Sequence, residues 1–337
     1  MEGKYKAWQV DKFKGDPAFR DVDHRSLQDH ELLVKIKCAT IHPADLALVN
    51  GQYGICPTKF PFIPGMEGSG EIVQVGKSID KNLIGKKTAL FVKLDEDGGL
   101  RGLWAEFRYC LLEDLFIVDF DIEYEKLCFA IGNPFTAYAF LDTLRQHNVK
   151  TVVQNGASGN CGKIFCKLCV KENIEIINVV RKEDHFAYFK EIGAKHMIST
   201  SNKDWKNQLS NLCKELNVRI CFECVGGNYT GDMLSCLPPK SILYHFGNLE
   251  LKRLGNIQGV DLVTHQKSIR GWWLMKWMKN TTQEELQKMK NYVFEEIKSG
   301  KDTFDSSYSK VFSLDKFIDG LMYYLQNMSG GKVILKS

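Results

Sequence analysis

The stretch Thr151-Val152-Val153-Gln154-Asn155-Gly156-Ala157-Ser158-Gly159-Asn160-Cys161-Gly162 decides the fold. Its first four residues are a short apolar run of the kind that makes a buried strand, and Lys163 to Lys171 follow with a helical pattern. Between strand and helix lies Ala157-x-Gly159-x-x-Gly162, the dinucleotide fingerprint with alanine in place of its first glycine. A pyrophosphate needs a tight turn, a backbone bare of side chains and a helix N-terminus whose free N–H groups face the anion. Strand, turn, helix and the next apolar run, Ile174 to Val180, fall within about 30 residues, which is the context the fingerprint requires. A glycine turn that merely closes a helix on a sheet is the competing reading.

Outward from this unit, the runs Val218–Val225 and Ser241–Phe246 continue the alternation of strand and helix, the pattern of a parallel βαβ sheet. Upstream the texture is β-rich: Glu31–Cys38 and Gly70–Gly76 alternate between apolar and polar residues and end at turns. After Arg270 come a charged amphipathic helix, 282–299, and a closing strand, 331–336, expected to return to the first domain. The expected architecture is α/β: a β-rich domain of residues 1–124 and 271–337, with a doubly wound nucleotide domain of residues 125–270 inserted into it.

A length of 337 residues suits two domains, and 44% hydrophobic with 26% charged residues and 8 prolines is ordinary globular composition. Forty-five basic residues interleave with 41 acidic ones for a net +4, so no basic field points to nucleic acid and none is expected as a partner. No run approaches the ~18 apolar residues of a membrane span, and Met1–Tyr5 lacks the apolar core of a secretory signal. Eleven cysteines without such a signal read as reduced thiols, which places the chain in the cytosol, or in a mitochondrial matrix if a presequence has been removed. The pairs Cys166/Cys169 and Cys221/Cys224 have zinc or redox spacing, but fall where buried small apolar residues belong.

The second strand of the nucleotide unit ends Asn178-Val179-Val180-Arg181-Lys182, with no carboxylate to take the ribose hydroxyls of NAD. Arg181 can contact a 2′-phosphate through two N–H groups, so NADP (NADPH) is preferred. The alternative is a solvated Arg181, with Glu183 or Asp184 reaching the ribose.

With those residues in hand, the chain resembles the medium-chain dehydrogenase/reductase superfamily over nearly its full length. The segments Ile41–Asp45, Asn50–Gly54, Pro61–Gly70, Asn133–Tyr138 and Cys224–Gly227 carry the likeness. Asn178–Arg181 with Ile269–Trp277 resembles the 2-enoyl thioester reductases, and Phe246-Gly247-Asn248 the quinone oxidoreductases. The resemblance implies a GroES-like catalytic domain, a Rossmann domain and a homodimer joined at the sheet edges of the nucleotide domains. In zinc-dependent relatives the catalytic metal takes Cys, His and Cys at the places of His42, Met66 and a residue near Gly132. One candidate ligand, His42, does not hold zinc, and the structural-zinc loop near residues 86–110 has only Cys110.

Without a metal, the chemistry implied is conjugate reduction of an enone, quinone or enoyl thioester, in which hydride from NADPH gives an enolate held by hydrogen bonds. The small-molecule substrate itself is not specified. Tyr53 matches the tyrosine the resemblance marks as catalytic, with an aromatic packing on its glycine-flanked loop as the competing reading, and His42 is expected beside it in the substrate pocket or in a local hydrogen bond. Cofactor contacts implied are Asn133, Thr136, Ala157, Ser158, Gly159 and Gly162, then Arg181, Gly226, Phe246, Gly247, Trp273 and Lys332. Departures from the family pattern at His42, Met66, Cys161 and Lys240 motivate the alternative of a non-catalytic nucleotide-binding subunit of a larger assembly.

Overall fold

The computed structural model describes residues 2–54, 56–92, 94, 97–304, 307–328 and 330–337. The chain divides into two compact units, Met1–Gly132 with Lys298–Gly300 and Asp305–Ser337, and Asn133–Ile297 with Lys301–Phe304.

The first unit begins with seven strands: β1 (Lys4–Gln9), β2 (Ala18–Asp23), β3 (Glu31–Thr40), β4 (Glu67–Val75), β5 (Lys87–Phe91), β6 (Phe107–Leu111) and β7 (Leu115–Val118). The second unit contributes β8 (Thr151–Gln154), β9 (Glu175–Val180), β10 (His196–Ser199), β11 (Ile220–Glu223), β12 (Ile242–His245) and β13 (Ser268–Gly271). The chain then supplies β14 (Tyr308–Ser313) and β15 (Lys332–Lys336) to the first unit.

In the first unit β1 and β2 form a separate antiparallel ribbon, and the main sheet runs β14-β15-β3-β4-β5-β7 with β6 also paired to β3. The alternation seen in β3 sends Leu32, Val34 and Ile36 into a core with Phe62, Trp104 and Phe317. The closing strand does return: β15 lies antiparallel to β3, with Ile334 opposite Thr40 and Lys336 opposite Cys38. That pairing carries Lys332, the first residue of β15, into the first unit.

The second unit is a parallel sheet in the order β10-β9-β8-β11-β12-β13. The chain enters at β8, moves outward through β9 and β10, and returns to β11 on the other side. The strand order therefore reverses between β8 and β11, and in such sheets ligands bind outside the carboxyl ends of the strands at that point. Cys166 and Cys169, on the helix Asn160–Lys171, and Cys221 and Cys224 are all buried. Burial pushes Cys166 to about 12 and the other three thiols well above their ordinary value, so these pairs are packing residues and not thiolates. Among the described residues no group of three or more His, Cys, Asp or Glu could hold a metal ion.

The boundary after the nucleotide sheet differs from the sequence expectation. Residues 271–297 belong to the second unit, not to the β-rich one. The helix Gln283–Lys298 puts Phe294 edge-on to Phe135, Tyr138 donates to Glu285 Oε1 at 3.0 Å, and Trp277 Nε1 donates to Asp142 at 3.1 Å. These long-range contacts with the helix Gly132–Gln146 hold the segment there, and no local periodicity announces them.

Candidate functional site

His42 immediately precedes the helix Pro43–Val49. Its backbone N–H donates to Asp45 Oδ2 at 2.7 Å, and the Met66 N–H donates to Asp45 Oδ1 at 2.9 Å, so one buried carboxylate ties the helix start to the residue before β4. Burial raises Asp45 to about 7 against the pull of those two N–H groups.

The His42 ring sits 2.6 Å, Nε2 to Oε2, from the fully buried Glu67 at the head of β4. Glu67 Oε1 accepts the N–H groups of Ile131 at 2.9 Å and Gly132 at 2.6 Å. The ammonium of Lys332, itself buried, lies 2.9 Å from both ring nitrogens of His42. Burial and the Lys332 charge lower the pKa of His42 and keep the imidazole neutral. For Glu67 burial acts upward, but the His42 hydrogen bond, the charges of His42 and Lys332 and the Gly132 N–H outweigh it and hold the carboxylate ionised. The consistent arrangement is a neutral His42 that donates its Nε2–H to ionised Glu67 and accepts from Lys332 at Nδ1. A Cβ on Gly132 would lie 2.9 Å from Glu67 Oε2, so the close approach requires glycine there.

Tyr53 follows the same short helix. It is half-buried and packs against the core of the first unit. The structure thus joins His42 and Lys332, assigned separate roles on sequence grounds, in one hydrogen-bonded cluster.

In the second unit the glycine turn links β8 to the helix Asn160–Lys171. Gly156 has φ +59, and a Cβ there would lie 2.5 Å from Cys224 Sγ. A Cβ on Gly162 would lie 2.6 Å from the Ala157 Cα, so the first helical turn presses directly on the turn before it. Gly159 is the N-cap, with no side chain capping the helix. Ala157 is buried, whereas Ser158 and Gly159 are partly exposed. This bare backbone at a helix start suits a dinucleotide phosphate. Gly226, with φ +80, lies after β11; Phe246 packs edge-on to Phe140 after β12; and a Cβ on Gly247 would approach Cys224 Cβ to 3.1 Å. Asn133 and Thr136 are half-exposed and one turn apart on the helix Gly132–Gln146. Trp273 is the N-cap of the helix Leu274–Asn280, and Arg181 stands exposed just past β9.

Sequence reasoning missed Glu223, the fully buried last residue of β11. Its Oε1 accepts from Asn155 Nδ2 at 2.9 Å and from the N–H groups of Val225 at 2.8 Å and Gly226 at 2.7 Å. Its Oε2 meets Thr230 Oγ1 at 2.9 Å and His245 Nδ1 at 2.6 Å. Burial acts to raise its pKa, but these hydrogen bonds win and hold it below the usual carboxylate range. One ionised carboxylate therefore pins the ends of β8, β11 and β12 and the loop bearing Gly226. The available signal was a lone carboxylate inside the apolar run Ile220–Val225; Glu67, also missed, gives a similar one among glycines.

Residues 28–110 match the family model of the alcohol dehydrogenase GroES-like domain, and residues 161–291 that of the zinc-binding dehydrogenases. The chain belongs to the medium-chain dehydrogenase/reductase superfamily. It is 27% identical over 285 residues to the mitochondrial enoyl-[acyl-carrier-protein] reductase of Rattus norvegicus, covering 82% of this chain and 74% of the relative. To the Caenorhabditis elegans protein of the same name it is 29% identical, covering 73% and 70%. A crystal structure ascribed to the NADPH:quinone reductases of Mesorhizobium loti superposes with TM-score 0.88 at 23% identity, covering 100% of this chain and 99% of that one. The Etr1p/Etr2p heterodimer of mitochondrial 2-enoyl thioester reductase from Candida tropicalis gives 0.80 at 18% identity, covering 99% and 100%.

Against this superfamily the first-unit cluster takes on meaning. Glu67 bonds to His42 and to the Gly132 N–H and directly follows Met66, so one carboxylate touches or adjoins the positions that the resemblance compares with zinc ligands.

Proposed function

We propose that the chain is an NADPH-dependent, zinc-independent reductase of activated C=C bonds, acting on 2-enoyl thioesters or on quinones and enones. The observation that carries this reading is the Lys332 ammonium 2.9 Å from the His42 ring, with His42 bonded to Glu67. A divalent cation at this place would face a fixed positive charge and would have to strip His42 from its carboxylate, with Met66 offering only a thioether and Gly132 nothing. This holds even though the second half matches a model named for zinc-binding dehydrogenases.

NADPH, when bound, supplies a hydride. The chain's residues divide the remaining work. The bare turn Ala157–Gly162 and the helix behind it hold the pyrophosphate, and Arg181 the 2′-phosphate. Addition of hydride to the β-carbon of the substrate leaves an enolate; a phenol keeps its proton at neutral pH, so Tyr53 donates to the enolate and is reprotonated from solvent. Lys332, oriented by His42, adds fixed positive charge for the developing oxyanion. The relatives support this substrate class: they are named enoyl-[acyl-carrier-protein] reductases, and one solved neighbour holds NADP and crotonyl-CoA. Their mitochondrial names favour an organelle matrix over the cytosol. The homodimer the resemblance implies would form through an edge of the second unit's sheet, whose outer strands are β10 and β13.

The test is NADPH oxidation with a 2-enoyl thioester or a quinone, with the saturated or reduced product identified. Tyr53→Phe should lower kcat by about 10- to 1000-fold with NADPH affinity nearly unchanged. Undiminished turnover in that variant would remove Tyr53 from the mechanism.

A further inference from the structure

Lys163, in the first half of the helix Asn160–Lys171, is half-buried with its Nζ 4.9 Å from the Tyr188 ring centroid. Burial lowers its pKa, and the neighbouring Lys167 adds to the effect. Elsewhere on the second unit lysines meet carboxylates, as in Lys195–Glu175 at 2.6 Å and Lys206–Asp232 at 2.8 Å. Lys163, Arg181 and Lys182 form no ion pair among the described residues, and neither do the exposed Glu183 and Asp184 beside them.

His185 ends the short turn Glu183–His185 that follows Arg181 and Lys182, and the charges of all three cations act on it. Burial is the largest influence on this half-buried imidazole, and the charges of Lys163, Arg181 and Lys182 act in the same direction, with Asp184 opposing. Their sum lowers its pKa below that of an ordinary histidine. Basic groups from a helix, a strand tip and a turn thus outweigh the one carboxylate, Asp184, that acts on His185 at the end of β9 in the nucleotide unit. A compact dianion placed among them would relieve the repulsion and accept several charge-assisted hydrogen bonds.

We infer that Lys163 and His185 complete, with Arg181 and Lys182, the site for the 2′-phosphate of NADPH, and that His185 makes the preference for NADPH over NADH depend on pH. This rests on the proposed use of NADPH. The sign follows from the charges. Without the phosphate, burial and the basic neighbours favour the neutral imidazole of His185; a dianion beside it favours the imidazolium, so NADPH binding takes up a proton and tightens as pH falls. NADH lacks the phosphate and responds little. The effect ends near pH ~6, where the phosphate itself gains a proton. The charged groups acting on His185 are Lys163, Asp184, Arg181 and Lys182, and Tyr188 on the following helix lies against Lys163.

The experiment measures NADPH and NADH dissociation constants by fluorescence titration of the full chain from about pH 8.5 to about pH 6.5, with proton uptake from calorimetry in buffers of different ionisation enthalpy. Lys163→Met should weaken NADPH by about 10- to 100-fold and leave NADH unchanged, the loss expected for one charge-assisted hydrogen bond. His185→Gln should abolish the proton uptake and flatten the pH dependence for NADPH alone. If both variants bind NADPH as the parent does, with uptake intact, the inference is overturned. Failure of the underlying reading shows separately in the unaltered protein, as binding of neither nucleotide or equal binding of both; either result overturns the inference as well.

Discussion

Single carboxylates decide both candidate sites. Glu67 holds His42 and the start of a helix, and with Lys332 it keeps a buried charge balanced; Glu223 ties three strand ends and a glycine loop. Glu67→Ala should destabilise the fold by about 3–5 kcal/mol, because it leaves the Lys332 ammonium buried without its carboxylate, and urea unfolding would show it. Lys240, flagged because relatives lead into the next strand with glycine there, adopts φ +63. Lys240→Gly should therefore stabilise the chain by up to about 1 kcal/mol, seen as a higher Tm, since glycine reaches that conformation without a Cβ clash. The sequence showed His42, Tyr53 and Arg181 as candidates because motif position marks them. It could not show that Lys332 meets His42, a contact between residues that are close only once β15 has paired with β3.

The elements were more legible than the contacts between them. β8, the turn and the helix Asn160–Lys171 stand where period and glycines put them, since each is fixed by local spacing. Gly162→Ala tests the packing at this joint: a Cβ 2.6 Å from Ala157 Cα must push the helix away, costing about 1–3 kcal/mol in unfolding assays and weakening nucleotide binding. The helix Gln283–Lys298 was legible as a helix but not in its placement. Near its end, Glu296 receives Lys171 at 2.7 Å, Lys301 at 2.8 Å and Thr303 at 3.0 Å. Burial acts to raise its pKa, but these partners lower it to about 2. A folded pKa below the unfolded one gives stability that is present above the ordinary glutamate range and lost as pH falls toward about 2. Glu296→Gln should accordingly lower Tm at neutral pH and converge with the parent protein in acid.

At the scale of the whole molecule, the α/β class, the β-rich unit and the inserted doubly wound sheet were all readable, because a change from period two to strand-helix alternation is a property of the chain itself. The boundary at residue 270 was not, since Phe294 on Phe135 and Trp277 on Asp142 are long-range contacts. The proposed metal-independence rests on the Lys332–His42–Glu67 cluster of the first unit. The direct measurement is turnover of NADPH with a 2-enoyl thioester by protein dialysed against a zinc chelator, with its residual zinc determined. Full activity in zinc-depleted protein is the predicted result; activity that vanishes with the metal and returns on adding zinc would contradict it.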